Sequence, residues 1–104
     1  MPEVDVLAAS DLGPNEVTLI EIDGHPAIAL YNLDGEFFAT DDLCSHGDAS
    51  LAEGDIEDGE ILCPFHLGSF DIRTGEARQA PCITPIRTHP VKVEGDRIIL
   101  VLED

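Results

Sequence analysis

Apolar and β-branched residues recur along this chain in short stretches that are separated by turn signals. Residues 16–22 form one such stretch, which runs into the hairpin signal of residues 23–24, Asp-Gly. Two further stretches, residues 27–31 and 36–40, lie on either side of a second Asp-Gly pair at residues 34–35. This spacing predicts three antiparallel strands in a meander.

The end of the chain repeats this pattern. Residues 91–94 alternate between apolar and polar, residues 95–96 provide a turn, and the apolar stretch 97–102 returns, which predicts a terminal hairpin. No segment keeps a 3.6-residue period over three turns, and only residues 7–12 are expected to form a short helical turn. Many short strands with frequent turns predict an all-β fold, a small antiparallel sandwich or barrel.

Length and the absence of targeting signals restrict the possibilities. The 104 residues are enough for one domain, which we expect to span residues 1–104. No apolar run approaches the ~20 residues that cross a bilayer, and the first residues lack the basic and apolar parts of a signal peptide. We therefore expect a cytoplasmic protein that does not enter a membrane.

The charge is strongly acidic and unevenly distributed. The chain has 22 Asp and Glu against five Lys and Arg, a formal net charge of −17, which argues against binding to nucleic acid or anionic membranes. Residues 1–72 hold 17 acids and no Lys or Arg, whereas residues 73–104 hold five of each sign. The acidity serves either solubility or the steering of a basic partner. The acidic run 53–60 predicts a solvated hairpin, or alternatively a docking element.

The middle of the chain, residues 41–80, carries the candidate chemistry. It contains a Cys-x-His, formed by Cys44 and His46, and a Cys-x-x-His, formed by Cys63 and His66, with 16 residues between His46 and Cys63. Three cysteines do not make a disulfide framework in a chain without a leader. Each of the two clusters offers one thiolate and one imidazole, which together predict a metal centre.

Two metal centres fit four such ligands. Structural zinc accepts two Cys and two His, but its usual layout groups the two Cys apart from the two His. In a Rieske [2Fe–2S] centre, one iron takes both Cys and the other takes both His, so each loop supplies one ligand to each iron. The mixed loops favour the two-iron cluster and leave structural zinc as the alternative.

The residues around these ligands resemble a known family. Residues 44–51 and 63–71 look like the two ligand boxes of Rieske ferredoxins, and the similarity extends over nearly the whole chain, including residues 74–75 and 90–96. The chain is similar to the small soluble ferredoxins of bacterial aromatic-ring-hydroxylating dioxygenases, such as the biphenyl and naphthalene systems. The resemblance implies a Rieske fold, in which a cluster-binding subdomain of about residues 41–78 lies at one tip of an antiparallel base.

The resemblance also implies a cofactor and a role. Cys44 and Cys63 would bind the buried iron of one Rieske [2Fe–2S] cluster, and His46 and His66 would bind the outer iron. The protein would be an electron carrier and not an enzyme, a monomer that passes single electrons from an NADH-dependent flavin reductase to a terminal oxygenase. The alternatives are the Rieske-like small subunit of a nitrite reductase and a zinc-stabilised interaction module.

Departures from other Rieske proteins indicate a low reduction potential. Ala49 and Phe65 stand where respiratory Rieske proteins carry the cysteines of a disulfide, and Gly68 and Phe70 stand where high-potential members carry Ser and Tyr hydroxyls. Four acids lie close to the ligands in sequence: Asp41, Asp42, Asp48 and Asp71. We therefore expect a potential near the bottom of the Rieske range, which begins at about −150 mV.

Several other residues receive simpler interpretations. We expect His25 to be a turn residue, His89 to be exposed or half-packed, and Cys82 to be a small buried or half-buried side chain that is not a ligand. Three apolar residues that flank the second loop are expected to shield the cluster or form a docking patch: Pro64, Phe65 and Leu67.

Overall fold

The computed structural model describes residues 3–43, 49–64, 68–79 and 85–102. The strands in these ranges are β1 (Glu3–Ala8), β2 (Glu16–Ile22), β3 (His25–Leu33), β4 (Glu36–Asp41), β5 (Ile56–Glu57), β6 (Glu60–Leu62), β7 (Ser69–Asp71), β8 (Ala77–Gln79), β9 (Thr88–His89), β10 (Val91–Glu94) and β11 (Arg97–Val101). Two 3₁₀ turns, Ala9–Asp11 and Leu51–Glu53, complete the secondary structure of the described ranges. Within these ranges, no helix has the length and apolar character needed to cross a membrane.

The strands form three antiparallel sheets, with the orders β1-β11-β10, β2-β3-β4-β9 and β5-β6-β7-β8. The predicted meander of β2, β3 and β4 and the predicted hairpin of β10 and β11 are both confirmed. Asp34 and Gly35 turn between β3 and β4 with φ of 54° and 98°. Positive φ at both central residues matches the twist of the flanking strands, which explains why an Asp-Gly pair marks this hairpin.

Strand β3 separates two apolar cores. Successive side chains of a strand point to opposite faces, and Ile28 and Leu30 contribute to one core while Ala29, Tyr31 and Leu33 contribute to the other. All five residues are at most 5% exposed. An apolar stretch without alternation is therefore buried on both of its faces.

The two faces of β3 border a terminal-side core and a loop-side core. The terminal-side core contains Leu12, Ile28, Leu30, Ala39, Ile98, Leu100 and Leu102. The loop-side core contains Ala29, Tyr31, Leu33, Ala49, Leu51, Ile61, Cys63, Phe70, Ile72 and Ile86. The terminal-side core thus joins the meander to the sheet of β1, β10 and β11, and the loop-side core joins it to the sheet of β5 to β8.

The start of the chain differs from the prediction. The expected helical turn over residues 7–12 is reduced to the 3₁₀ turn Ala9–Asp11, because Leu7 still belongs to β1 and pairs with Ile98. Strand β1 was not predicted at all, and it exists because β11, from the other end of the chain, supplies its hydrogen-bond partners. The acidic run does form the predicted hairpin, in which β5 and β6 pair across residues 58–59.

Two histidine predictions were wrong. His25 is the first residue of β3 rather than a turn residue, since it pairs with Ile22. His89 is not exposed or half-packed: its side chain is fully buried, and its Nε2 lies 2.8 Å from Oδ1 of Asp41. The reason is that β9 pairs with the end of β4, so the ring turns inward and packs edge-on against His25 at 5.8 Å. Cys82 lies outside the described residues.

Candidate metal centre

Of the four predicted ligands, Cys63 belongs to the described residues. It directly follows β6, is only 1% exposed and contributes to the loop-side core. Cys44, His46 and His66 lie outside the described residues, as do Phe65 and Leu67. The chain segments on either side of the two ligand loops therefore define the geometry of the site.

The first ligand loop begins and ends at a closed base. Leu43 and Ser50 form an antiparallel bridge, and the Leu51 N–H donates to the carbonyl oxygen of Asp42 at 2.8 Å. Ala49, which directly precedes Ser50, is fully buried in the loop-side core. The two chain positions that flank residues 44–48 are therefore neighbours in the fold.

The second ligand loop is closed in the same way. Leu62 pairs with Ser69 across β6 and β7, and the Cys63 N–H donates to the carbonyl oxygen of Gly68 at 2.8 Å. Cys63 points into the core while Pro64, the next residue, is exposed. The two chain positions that flank residues 64–67 are therefore also neighbours in the fold, and the Pro64 side chain faces solvent.

The bases of the two loops are brought together by the loop-side core. Ala49 from the first base and Cys63 from the second are members of that one core, with Phe70 of β7. This places a buried thiol at the junction of two loops that together carry two thiols and two imidazoles. Such a donor set, with one of its thiols shielded from water, fits a Rieske [2Fe–2S] cluster, in which the thiolate iron is the inner one.

Asp42 lies directly under the first loop. Its residue is 6% exposed, its Oδ2 accepts a hydrogen bond from the Ser50 hydroxyl at 2.7 Å, and its Oδ1 accepts one from the Ala52 N–H at 2.8 Å. The carboxylate therefore joins both ends of the loop. Sequence reasoning counted Asp42 only as one of four nearby acids, because nothing in its local pattern shows that it is buried.

Gly54 is a second residue that sequence reasoning missed. A Cβ on this glycine would collide with the carbonyl oxygen of Leu62, so only glycine lets the 3₁₀ turn Leu51–Glu53 lie against β6. The Gly54 N–H donates to the Leu51 carbonyl oxygen at 3.0 Å. Gly54 thereby keeps the segment after the first loop in contact with the strand that leads into the second.

Asp71 organises the turn that follows the second loop. Its side chain accepts hydrogen bonds from the N–H groups of Arg73 (2.8 Å) and Thr74 (3.1 Å) and pairs with the Arg78 guanidinium at 2.9 Å. Burial acts to raise the pKa of Asp71, but the hydrogen bonds from Arg78 and from the two backbone groups outweigh it, so the pKa lies below its usual value. The Asp71 carboxylate is therefore held by two N–H groups of its own turn and paired with Arg78 of β8.

Tyr31 is the largest polar side chain in the loop-side core. Its hydroxyl lies 2.8 Å from Oγ1 of Thr40. Burial raises the pKa of the phenol far above its usual range, against the opposing effect of the Thr40 hydrogen bond, and the nearby Asp42 carboxylate raises it further. Tyr31 is therefore neutral and acts in this core as a hydrogen-bonding partner of Thr40.

Comparisons with known proteins agree with this arrangement. A family model described as the Rieske [2Fe–2S] domain matches residues 3–90. The ferredoxin component of the p-cumate 2,3-dioxygenase system of Pseudomonas putida is 46% identical over 98 residues, which cover 93% of this chain and 83% of the relative. The chain belongs to the Rieske [2Fe–2S] family, within the ferredoxins of aromatic dioxygenase systems.

Solved structures give the same answer for the fold. The ferredoxin of carbazole 1,9a-dioxygenase from Nocardioides aromaticivorans IC177 superposes with a TM-score of 0.93 at 32% identity, covering 99% of this chain and all of the other. A chain in a complex of reduced oxygenase and oxidized ferredoxin of carbazole 1,9a-dioxygenase superposes with a TM-score of 0.91 at 36% identity, covering 94% of this chain and 91% of that one. The predicted all-β Rieske fold is confirmed.

The comparisons also weigh the two alternatives. A nitrite reductase small-subunit protein superposes with a TM-score of 0.83 over 98% of this chain and all of the other, but at 19% identity, so it shows the shared fold alone. The family match identifies the cofactor as a Rieske-type [2Fe–2S] cluster, and the zinc alternative falls away. The chain is an electron-transfer component rather than a catalytic one.

Proposed function

We propose that this protein carries single electrons from an NADH-dependent flavin reductase to the terminal oxygenase of an aromatic-ring dioxygenase system. The observation that carries the proposal is the packing of both loop bases, through Ala49 and Cys63, into one buried core at the predicted cluster site. A similar chain occurs in a complex of oxygenase and ferredoxin, which supports an oxygenase as one partner. The p-cumate relative is likewise a ferredoxin component of a dioxygenase system.

The four ligands are part of the same proposal. Cys44 and Cys63 bind the inner iron, and His46 and His66 bind the outer iron. The burial of Cys63 supports its position on the inner iron, and the closed bases of both loops support the approach of all four side chains to one point. The cluster supplies a site that accepts and releases one electron without a change of bonding partners.

The surrounding residues hold this site and keep water away from its inner side. Ala49, Cys63 and Phe70 are at most 1% exposed, so the core closes the cluster pocket from below. Pro64, the residue after Cys63, is exposed and therefore accessible to a partner. We propose residues 41–78 as the cluster-binding subdomain of a single domain of residues 1–104, which acts as a cytoplasmic monomer.

Reconstitution tests the proposed function. The holo-protein is mixed anaerobically with NADH, a flavin-containing ferredoxin reductase and an oxygenase from the systems to which its relatives belong, and reduction of the oxygenase is followed by absorbance. We expect reduction only when the chain is present, and none with a matched Cys63→Ser protein. A chain that the reductase reduces but that reduces no oxygenase in the panel would contradict the assignment.

The same assay tests the role of the acidic surface. The net charge of −17 predicts that electron transfer slows as salt rises from 0.1 to 1 M, because the Debye length falls from ~10 to ~3 Å. A rate that stays flat with a limiting partner would assign docking to apolar contacts around Pro64 instead.

A further inference from the structure

Four acids lie near the ligand loops in sequence, and the three that the structure describes have different surroundings. The Asp71 carboxylate pairs with Arg78 and caps its own turn. The Asp41 carboxylate is 31% exposed and faces the ring of His89. Asp42 is the buried one of these three, at 6% exposure, and uncharged Ser50 and Ala52 supply the donors to its carboxylate.

The contacts of Asp42 connect every part of the first loop base. Its backbone N–H donates to the Ala27 carbonyl oxygen of β3 at 3.0 Å, and its own carbonyl oxygen accepts from the Leu51 N–H at 2.8 Å. Its carboxylate holds Ser50 and Ala52, on the far side of the loop. The Asp42 carboxylate therefore adds two side-chain hydrogen bonds to the backbone contacts that already join the two ends of the loop.

We propose that Asp42 is a positioning residue for the [2Fe–2S] cluster, whose carboxylate both holds the first ligand loop closed and lowers the reduction potential of the cluster. The inference rests on the proposed ligands Cys44 and His46, which lie two and four residues after it. It assigns two separable effects to one side chain, one through hydrogen bonds and one through charge.

The charge effect follows from burial. Reduction adds one negative charge to the cluster, and a carboxylate close to it makes that addition less favourable. Water and salt screen an exposed carboxylate, whereas a carboxylate at 6% exposure is screened much less. Neutral donors orient Asp42 without cancelling its charge, in contrast to the pairing of Asp71 with Arg78.

Three variants separate the two effects. Asp42→Asn removes the negative charge. The Asn oxygen can still accept from the Ala52 N–H, and the Asn NH₂ group can donate to the Ser50 hydroxyl oxygen. Ser50→Ala keeps the Asp42 carboxylate but removes one of the two hydrogen bonds that this carboxylate accepts from the far side of the loop. Glu53→Gln is the matched control, because it removes an acid from the same segment at an exposed position. Each holo-protein is measured for midpoint potential, for iron and sulfide content, and for the rate of cluster loss to a chelator.

The expected results differ between the variants. Asp42→Asn shifts the redox equilibrium toward the reduced cluster about threefold or more, which raises the midpoint potential by ~30 mV at 59 mV per tenfold. The rate at which this variant loses its cluster stays within about twofold of the wild-type rate. Ser50→Ala loses its cluster about tenfold faster, since a hydrogen bond to a charged group is lost. Its potential falls, because the Asp42 carboxylate then has one hydrogen-bond donor fewer to offset its negative charge. Glu53→Gln changes neither quantity.

Two results would overturn the proposal. One is an Asp42→Asn potential that equals wild type or shifts no further than that of Glu53→Gln. The other is a Ser50→Ala protein that keeps its cluster as long as wild type. If Asp42→Asn yields no holo-protein, the potential of Ser50→Ala decides the charge effect: a fall supports it, and an unchanged value refutes it. A failure of the proposed ligand set is visible separately, as wild-type protein without two irons and two sulfides.

Discussion

The two cores on either face of β3 are built from different parts of the chain and hold different chemistry. The terminal-side core contains only aliphatic side chains, and its partner strands come from the two ends of the chain. The loop-side core contains the thiol of Cys63 and the phenol of Tyr31, and its partner strands are two or three residues long. The terminal-side core therefore consists of aliphatic side chains alone, whereas the loop-side core also contains a thiol that we propose as a cluster ligand.

This difference indicates how folding and function are divided. Short strands bury little apolar surface, so the sheet of β5 to β8 depends on contacts that strand propensity does not supply. Metal binding free energy contributes directly to folding where the ligands form part of a core. We therefore expect cluster binding to stabilise the loop-side core and to leave the terminal-side core nearly unchanged.

The largest expected effect comes from removing Cys63, the proposed ligand inside the loop-side core. Cys63→Ser, like Cys44→Ser, should lose the cluster completely, and with it the packing of the loop-side core. Iron and acid-labile sulfide analysis measures this loss, and Cys82→Ser is the matched control that should retain two of each. A Cys63→Ser protein with full iron and sulfide, or a wild-type protein with one zinc and no sulfide, would refute the ligand assignment.

A matched pair of core substitutions compares the two faces directly. Ile61→Ala in the loop-side core and Ile98→Ala in the terminal-side core each truncate a fully buried side chain. Each should lower the free energy of unfolding by about 2–5 kcal/mol. Only Ile61→Ala should also speed cluster loss to a chelator. Equal rates of cluster loss in the two variants would mean that the cores are not separate units.

A pair of glycine substitutions tests the contact between the segment that follows the first loop and the strand that leads into the second. Gly54→Ala should destabilise the protein by about 3 kcal/mol, because its Cβ would meet the Leu62 carbonyl oxygen. Gly59→Ala has open space around its Cβ and only a positive φ of 77°, so it should cost about 1 kcal/mol. Urea unfolding measures both. The contact would be unimportant if the two variants lost the same stability.

The smallest effect concerns the potential. Phe70, which is fully buried in the loop-side core, stands where high-potential Rieske proteins carry a tyrosine. Phe70→Tyr should raise the midpoint potential. A hydrogen bond to a charged group contributes ~1.5–3 kcal/mol, which corresponds to about 60–130 mV, and this range is the upper limit of the rise. Phe37→Tyr, which adds a hydroxyl beside the terminal-side core, should leave the midpoint potential unchanged. A wild-type potential clearly above 0 mV would contradict the expected low value.

The base of the fold was predictable because its signals are local. Alternation and Asp-Gly pairs predicted β2, β3, β4 and the terminal hairpin, since neighbouring strands are joined by two-residue turns. Strand β1 was missed because Glu3 pairs with Val101, and no local pattern reports a partner at the other end of the chain. The burial of His89 was missed for the same reason, because Asp41 of β4 provides its hydrogen bond.

The cofactor was predictable from the sequence, whereas the residues that support its site from the folded chain were not. The Cys-x-His and Cys-x-x-His spacings predicted a cluster because ligand types and their spacing are written in the sequence. The roles of Asp42 and Gly54 depend on the path of the folded chain, through the Ser50 hydroxyl in one case and the Leu62 carbonyl in the other. Local sequence shows an acid and a glycine at these positions without showing what lies beside them.

Hydrogen exchange with and without the cluster is the most direct test of the division between the two cores. Backbone amides are compared in the holo-protein and in protein stripped of iron under reducing conditions. We predict that protection falls sharply in β6 and β7, around Cys63, while β3, β10 and β11 keep theirs. An apo-protein that loses protection equally in both sheets, or in neither, would contradict the claim that the cluster completes the loop-side core alone.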